Sequence, residues 1–212
     1  MVEQDSESRI NLIEFESVKY ALSSNRTPNQ PFTKSQAFNL GVSRVSTNKV
    51  ILHDADMVVY DVYASQMDQL LDQYDGVHIG ANVLYINQQS TDVLNRSGKL
   101  ATDVNAEKTV KYYEGGSLGC TVKAYIDIGG FNDDFIGYGN EDTEFFARLA
   151  TTRFFNERSI DLVHLWHGRN DGWTQHHDKN KILEENLKRQ DMNERKSKLR
   201  NELASRYGLN QR

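Results

Sequence analysis

A run of wholly apolar residues, Val50-Ile51-Leu52, leads straight into His53-Asp54-Ala55-Asp56, and this junction limits the folds open to the chain more than any other feature. A strand that is apolar at consecutive positions is covered on both faces, as in a sheet with layers above and below it. Acidic residues at its carboxyl end then sit where loops diverge from an open α/β sheet and where ligands bind. Upstream, Ile10-Asn11-Leu12-Ile13-Glu14-Phe15 reads as a strand, Asn25 to Pro31 as a loop, and Thr33 as the N-cap of a helix with Ala37, Phe38, Leu40, Val42 and Val45 near helical spacing. Strand, helix and strand in that order predict a βαβ crossover and parallel pairing.

Downstream, a helix is expected from Val62 to Tyr74, a strand from Val77 to Ile86, and a long polar loop from Asn87 to Glu107. Tyr112 to Thr121 reads as a strand broken at Gly115-Gly116, followed by a short helix from Val122 to Ile128 and the turn Gly129-Gly130-Phe131. Gly137-Tyr138-Gly139-Asn140 delivers Glu141-Asp142 to the start of a helix whose inner face carries Phe145, Phe146 and Leu149. Carboxylates in that place are stabilised as anions by the helix dipole. Ile160 to Val163 is a further strand, ending in His164-Leu165-Trp166-His167.

The expected organisation is a disordered segment at 1–9, one domain over 10–177 and a charged helical tail over 178–212. The net charge of −5 argues against a phosphate-backbone binder, so no nucleic-acid partner is expected. The tail differs from the rest: ten Lys and Arg against six Asp and Glu make it +4, leaving −9 elsewhere. A solvated helix laced with i,i+4 ion pairs is the plain reading. Peripheral docking on a membrane or partner is the alternative, through a broken apolar stripe of Ile182, Leu183, Leu187, Leu199 and Leu203. A single cysteine, Cys120, and the lack of a secretory signal or spanning segment place the expectation in the cytoplasm.

Three features carry chemistry. Asp54 and Asp56 can offer oxygen ligands to Mg²⁺ or Mn²⁺ once the chain leaves the alternation of the sheet. His164 and His167 end another strand, and imidazole suits Mn²⁺, Zn²⁺ or Fe²⁺ better than Mg²⁺. Glu141-Asp142 could accept a proton from a hydroxyl. Each feature alone has an ordinary structural reading; their occurrence together at element ends favours a site. His53 is a candidate to orient the aspartates from behind, while His78, His176 and His177 read as structural.

The ordered set Phe38-Asn39-Leu40-Gly41-Val42, Ile51 to Met57, Gly115-Gly116-Ser117, Ile128 to Asn132, Gly137 to Phe145 with Arg148-Leu149, and the closing His-x-x-His resembles the catalytic part of inverting GT-A glycosyltransferases. It is most like family 2 transferases and the C-terminal region of β-1,4-galactosyltransferases, over about residues 10 to 170. The resemblance implies a GT-A-like, Rossmann-like α/β fold with a mixed, mostly parallel sheet flanked by helices and a charged C-terminal helix. It implies that Asp56 ligates the metal, that Asp54 contacts the ribose or the metal through water, and that His167 completes the ligands. Asp142 would be the catalytic base and Glu141 would hold sugar hydroxyls. Gly115 and Gly116 would admit the donor close to the backbone, Tyr138 would form an aromatic sugar platform, and His164 and Asn39 would lie on the donor and acceptor side. The implied cofactor is Mn²⁺ or Mg²⁺, and the implied partners are a nucleotide-sugar donor, UDP-linked by preference, and a glycan acceptor.

Family members carry a further βαβ segment before the strand at residue 10, which supplies nucleoside contacts. Its lack here predicts a fragment of a longer protein, a partner chain that supplies the strands, or a site with a reduced nucleoside pocket, and the open sheet edge it leaves favours self-association. Two other readings fit parts of the pattern. One is a non-catalytic nucleotide-sugar- or carbohydrate-binding subunit. The other is a phosphatase of the haloacid-dehalogenase kind, whose nucleophile motif Asp54-x-Asp56 imitates.

Overall fold

The computed structural model describes residues 2–4, 21–23, 30–101, 103–168 and 174–210. In chain order these form β1 (Val2–Glu3), β2 (Ala21–Leu22), α1 (Lys34–Ser43), β3 (Lys49–His53), β4 (Met57–Val58) and α2 (Val62–Leu70). Next come β5 (Gly76–Val77), β6 (Gly80–Tyr85), α3 (Gln88–Ser97), β7 (Lys108–Lys111) and β8 (Ser117–Thr121). The chain finishes with α4 (Val122–Asp127), α5 (Glu141–Leu149), β9 (Phe154–Phe155), β10 (Ile160–His164), α6 (His177–Lys188) and α7 (Met192–Tyr207). The expected strand at Ile10 to Phe15 lies outside the described residues. Of the expected disordered start, Val2–Glu3 instead pair with Ala21–Leu22, and Gln4 bonds the Thr33 backbone through both ends of its amide.

The chain divides into two compact units, one of residues 1–47, 125–148 and 172–212, the other of 48–124 and 149–171. The second unit holds two four-stranded sheets, ordered β3-β8-β5-β9 and β4-β10-β6-β7. Helix α2 spaces Tyr63, Met67 and Leu71 four apart, one helical face, and this face packs on Val77, Ile79 and Leu162 from both sheets. The fold is the expected α/β mixture, but the pairing is not mostly parallel. Among the described residues β1–β2, β6–β10 and β5–β9 are parallel, whereas β4–β10, β3–β8, β5–β8 and β6–β7 are antiparallel.

Two local expectations fail for identifiable reasons. The apolar run 77–86 is two strands, because the chain changes sheets at His78-Ile79: the His78 N–H reaches Phe155 O, while Ile79 O takes the N–H groups of Ser159 and Ile160. The apolar residues on either side of the switch conceal it, since both sheets bury them. The polar segment 87–107 is not all loop but contains α3, capped by the Asn87 side chain on the Ser90 N–H at 2.8 Å and closed by Gly98 in the left-handed region. Only Thr91 of this helix is buried, so there was no apolar stripe to read.

In the first unit Phe131 stacks on Phe145 with centroids 4.1 Å apart, and Phe38 stacks on Phe131. Arg148 is fully buried beside them. Its guanidinium forks onto Glu144 at 2.8 and 2.6 Å and donates to the carbonyls of Ile128 and Gly130 at 2.5 and 2.6 Å. Arg195, from α7, stands 3.5 Å from Glu144. The helices after residue 176 belong to this core: Leu187, Leu199 and Leu203 are buried, while Ile182 is 58% exposed, Lys198–Glu202 pair on the outside and Lys188 reaches the buried Glu184. No helix among the described residues is long and apolar enough to cross a membrane. We expect Arg148→Ala, which strands Glu144 and two carbonyls without their main donor, to cost about 3–5 kcal/mol in urea unfolding; a loss under 1 kcal/mol would contradict this account.

Candidate active site

The acidic turn is built by backbone hydrogen bonds on both sides. Asp54 N–H donates to Gly116 O at 2.9 Å, and Met57 N–H returns to Asp54 O at 3.1 Å, so Ala55 and Asp56 occupy the middle of a tight reversal. His53 holds the same turn: its Nε2–H donates to Met57 O at 3.1 Å, and its Nδ1 accepts from the Ser117 hydroxyl at 2.9 Å. After the turn Met57 pairs with His164, and Leu165 N–H reaches Asp56 O at 2.8 Å. Strand register therefore delivers Asp56 to the end of β10.

There Asp56 Oδ2 lies 3.2 Å from His167 Nε2 and 3.6 Å from His164 Nε2, and one ligand atom from each residue falls within 4.8 Å of the others. The ring orientation is set from behind. His164 Nδ1 is 2.6 Å from Leu165 O and His167 Nδ1 is 3.0 Å from Gly168 O. A carbonyl can only accept, so each Nδ1 carries a proton and each Nε2 is the ring nitrogen turned towards the carboxylate. One carboxylate with two imidazoles so placed fits a divalent ion such as Mn²⁺, Zn²⁺ or Fe²⁺. Tyr85 stacks on His164 with centroids 4.3 Å apart, and the Trp166 N–H is held by Thr91 Oγ1 at 2.8 Å. The helix hidden in the polar segment thus fixes the bend between the two histidines.

The ligand set differs from expectation in one member. Asp54 is not part of the cluster, whose third residue is His164, because the β4–β10 pairing sets Met57 opposite His164 and so brings Asp56 beside it. Gly116, expected to admit a donor, is instead filled by the protein: a Cβ there would stand 2.9 Å from Met57 Cε, and its φ of +81° favours glycine. Gly115 O takes the Ser117 N–H. Asn39 is also committed internally. Its Nδ2 donates to Phe131 O and Asp133 Oδ1, both at 2.9 Å, and its Oδ1 accepts from the Tyr125 hydroxyl and the Phe131 N–H. That exhausts the amide, so Asn39 pins the turn after Gly130 and is not a sugar ligand. His78 is buried and structural, and burial lowers its pKa to about 4.

In the other unit the glycine loop ends in Asn140, which has a positive φ of 67°, and α5 begins at Glu141. Glu141 is 7% exposed and accepts the Gly139 N–H at 2.9 Å. Burial is the main cause that pushes its pKa up to about 7. Repulsion from Asp142 adds to this, and the Lys34 ammonium and backbone N–H groups oppose it. Lys34, which the sequence reading passed over, pairs with Asp142 Oδ2 at 2.8 Å and is 13% exposed. It lies 108 positions away, so no local pattern pointed to it. Tyr138 is half exposed.

A model of the family described as glycosyltransferase like family 2 matches residues 2–175, most of the chain. The chain belongs to that family. Among solved structures it is similar to the catalytic domain of Drosophila beta1,4galactosyltransferase 7, in complex with xylobiose. The identity is 18% and the TM-score 0.42, over 71% of this chain and 56% of that one. The chain thus spans little more than half the length of that domain. No curated protein matches it.

Followed by ¹³C NMR, the Glu141 carboxyl is expected to titrate near pH 7, and Lys34→Met should move its midpoint higher by removing an opposing cation. Folding linkage has a definite sign here. The folded pKa exceeds the ordinary carboxyl value of 4.5, so the folded state holds the proton longer and stability falls as pH rises from about 4.5 to 7. In Glu141→Gln that fall should disappear from urea midpoints measured across the same window.

Proposed function

We propose that the chain is a metal-dependent, inverting glycosyltransferase that moves a sugar from a nucleotide-sugar donor to a hydroxyl of a glycan acceptor. The observation that carries this reading is the Asp56–His164–His167 cluster, with both Nε2 atoms turned inward by backbone acceptors on Nδ1. A divalent cation held by these residues, with Mn²⁺ suited to the mixed donor set, supplies Lewis-acid stabilisation of the leaving nucleoside diphosphate. Asp142 takes the proton of the acceptor hydroxyl as that oxygen bonds to the anomeric carbon and the glycosyl–phosphate bond breaks. Lys34, paired to Asp142, holds the carboxylate in place, and Glu141 hydrogen-bonds sugar hydroxyls. A UDP-linked donor is favoured. Family membership displaces the phosphatase reading of Asp54-x-Asp56.

Three measurements test this. A screen of UDP-, GDP- and dTDP-sugars should show a rise in melting temperature for a true donor, dependent on Mn²⁺ and reversed by a chelator. His164→Ala and His167→Ala should each abolish the metal-dependent rise; a rise unchanged in both variants would remove the metal centre from the proposal. Asp142→Asn should lower transfer by about 10²–10⁴-fold while leaving donor binding intact, whereas a non-catalytic binder has no transfer to lose.

A further inference from the structure

Helix α3 exposes its valine, Val93 at 52%, and buries a threonine, Thr91 at 6%. A buried hydroxyl needs a hydrogen-bond partner, and the partner here is specific. Thr91 Oγ1 accepts the Trp166 N–H at 2.8 Å, 75 positions away and between the two cluster histidines. The helix is well anchored for this contact. Just past the β6–β10 pairing, Ile86 N–H donates to His164 O at 3.1 Å; Asn87 then caps the first turn, and Thr91 N–H closes on Asn87 O at 3.0 Å. One helical turn therefore separates the threonine from the end of the sheet.

The two imidazoles are held by unlike means. His164 is the last residue of β10, paired with Met57 on one side and Tyr85 on the other, stacked on the Tyr85 ring, and its side chain is 16% exposed. His167 lies past the strand, its side chain is 50% exposed, and its Nδ1 contact is to the neighbouring Gly168 O, which turns with it. Its ring also stacks on His164 with centroids 5.2 Å apart, which orients the ring but not the chain. The chain is placed by the residues before it, through Leu165 N–H on Asp56 O and then Trp166 N–H on Thr91. We propose that Thr91 is the positioning residue of His167. The cation centre then has a permanent half, Asp56 and His164, set by strand register, and a conditional half, His167, set by one hydroxyl on α3. Thr91 touches neither cation nor substrate and acts through the Trp166 backbone. A valine of the same shape would fill its space but strand that N–H, whereas serine would keep the acceptor. The inference rests on the metal reading of the cluster.

The test is a titration of the full chain with Mn²⁺ alone, read by EPR for affinity and by electron spin-echo modulation for the number of coupled imidazoles. The wild-type chain and Thr91→Ser should each show two. Thr91→Val and Thr91→Ala should each show one, as His167→Ala does, and should bind Mn²⁺ about 10–100-fold more weakly, the range for groups that orient metal ligands from behind. Adding Thr91→Val to His167→Ala should cost no further affinity, because the residue through which Thr91 acts is already gone. Two coupled imidazoles, with affinity within about twofold of wild type, in both Thr91→Val and Thr91→Ala would overturn this role and leave the metal centre standing. A wild-type chain with no imidazole coupling would overturn the metal centre and the role of Thr91 with it.

Discussion

The pairing of Met57 and Val58 with the end of β10 is the constraint on which the candidate metal centre depends. Two residues of antiparallel ladder are little structure, but they set the register, and a one-residue slip would turn each side chain to the opposite face. The Leu165 N–H on Asp56 O and the His53 imidazole on Met57 O secure the same register from either side. Once Asp56 lies at the strand end, the histidines need only the right rotation, which the carbonyls of Leu165 and Gly168 provide. The ligand set thus follows from backbone hydrogen bonding more than from its own side-chain contacts.

The carboxyl pair at the start of α5 shows two electrostatic effects in competition. A helix N-terminus and the Gly139 N–H favour an ionised Glu141, yet burial outweighs both, and repulsion from Asp142 adds to it. Asp142, more exposed and paired to Lys34, sits in a different environment one residue away. Adjacent carboxyls of unlike burial are suited to unlike roles.

The helices after residue 176 look in sequence like a charged tail. In the structure Leu187, Leu199 and Leu203 are buried, Arg195 faces the buried Glu144–Arg148 pair, and Asn180 holds the glycine loop. A helix that contacts its neighbours through one narrow stripe leaves most of its surface charged, so composition alone reads it as solvated.

The sequence by itself determined the α/β class, the helices at 34–43 and 141–149, the strand running into the acidic turn, and the set of residues from which a site could be drawn. Those are local properties, carried by periodicity, glycine placement and charge at element ends. Tertiary structure alone decided that His164 stands in the cation cluster where Asp54 was expected, that Asn39 and Gly116 are committed to packing, that Lys34 faces Asp142, and that α6 seats the glycine loop. Each of these turns on strand register or on a contact between residues dozens of positions apart, and neither leaves a periodic trace along the chain.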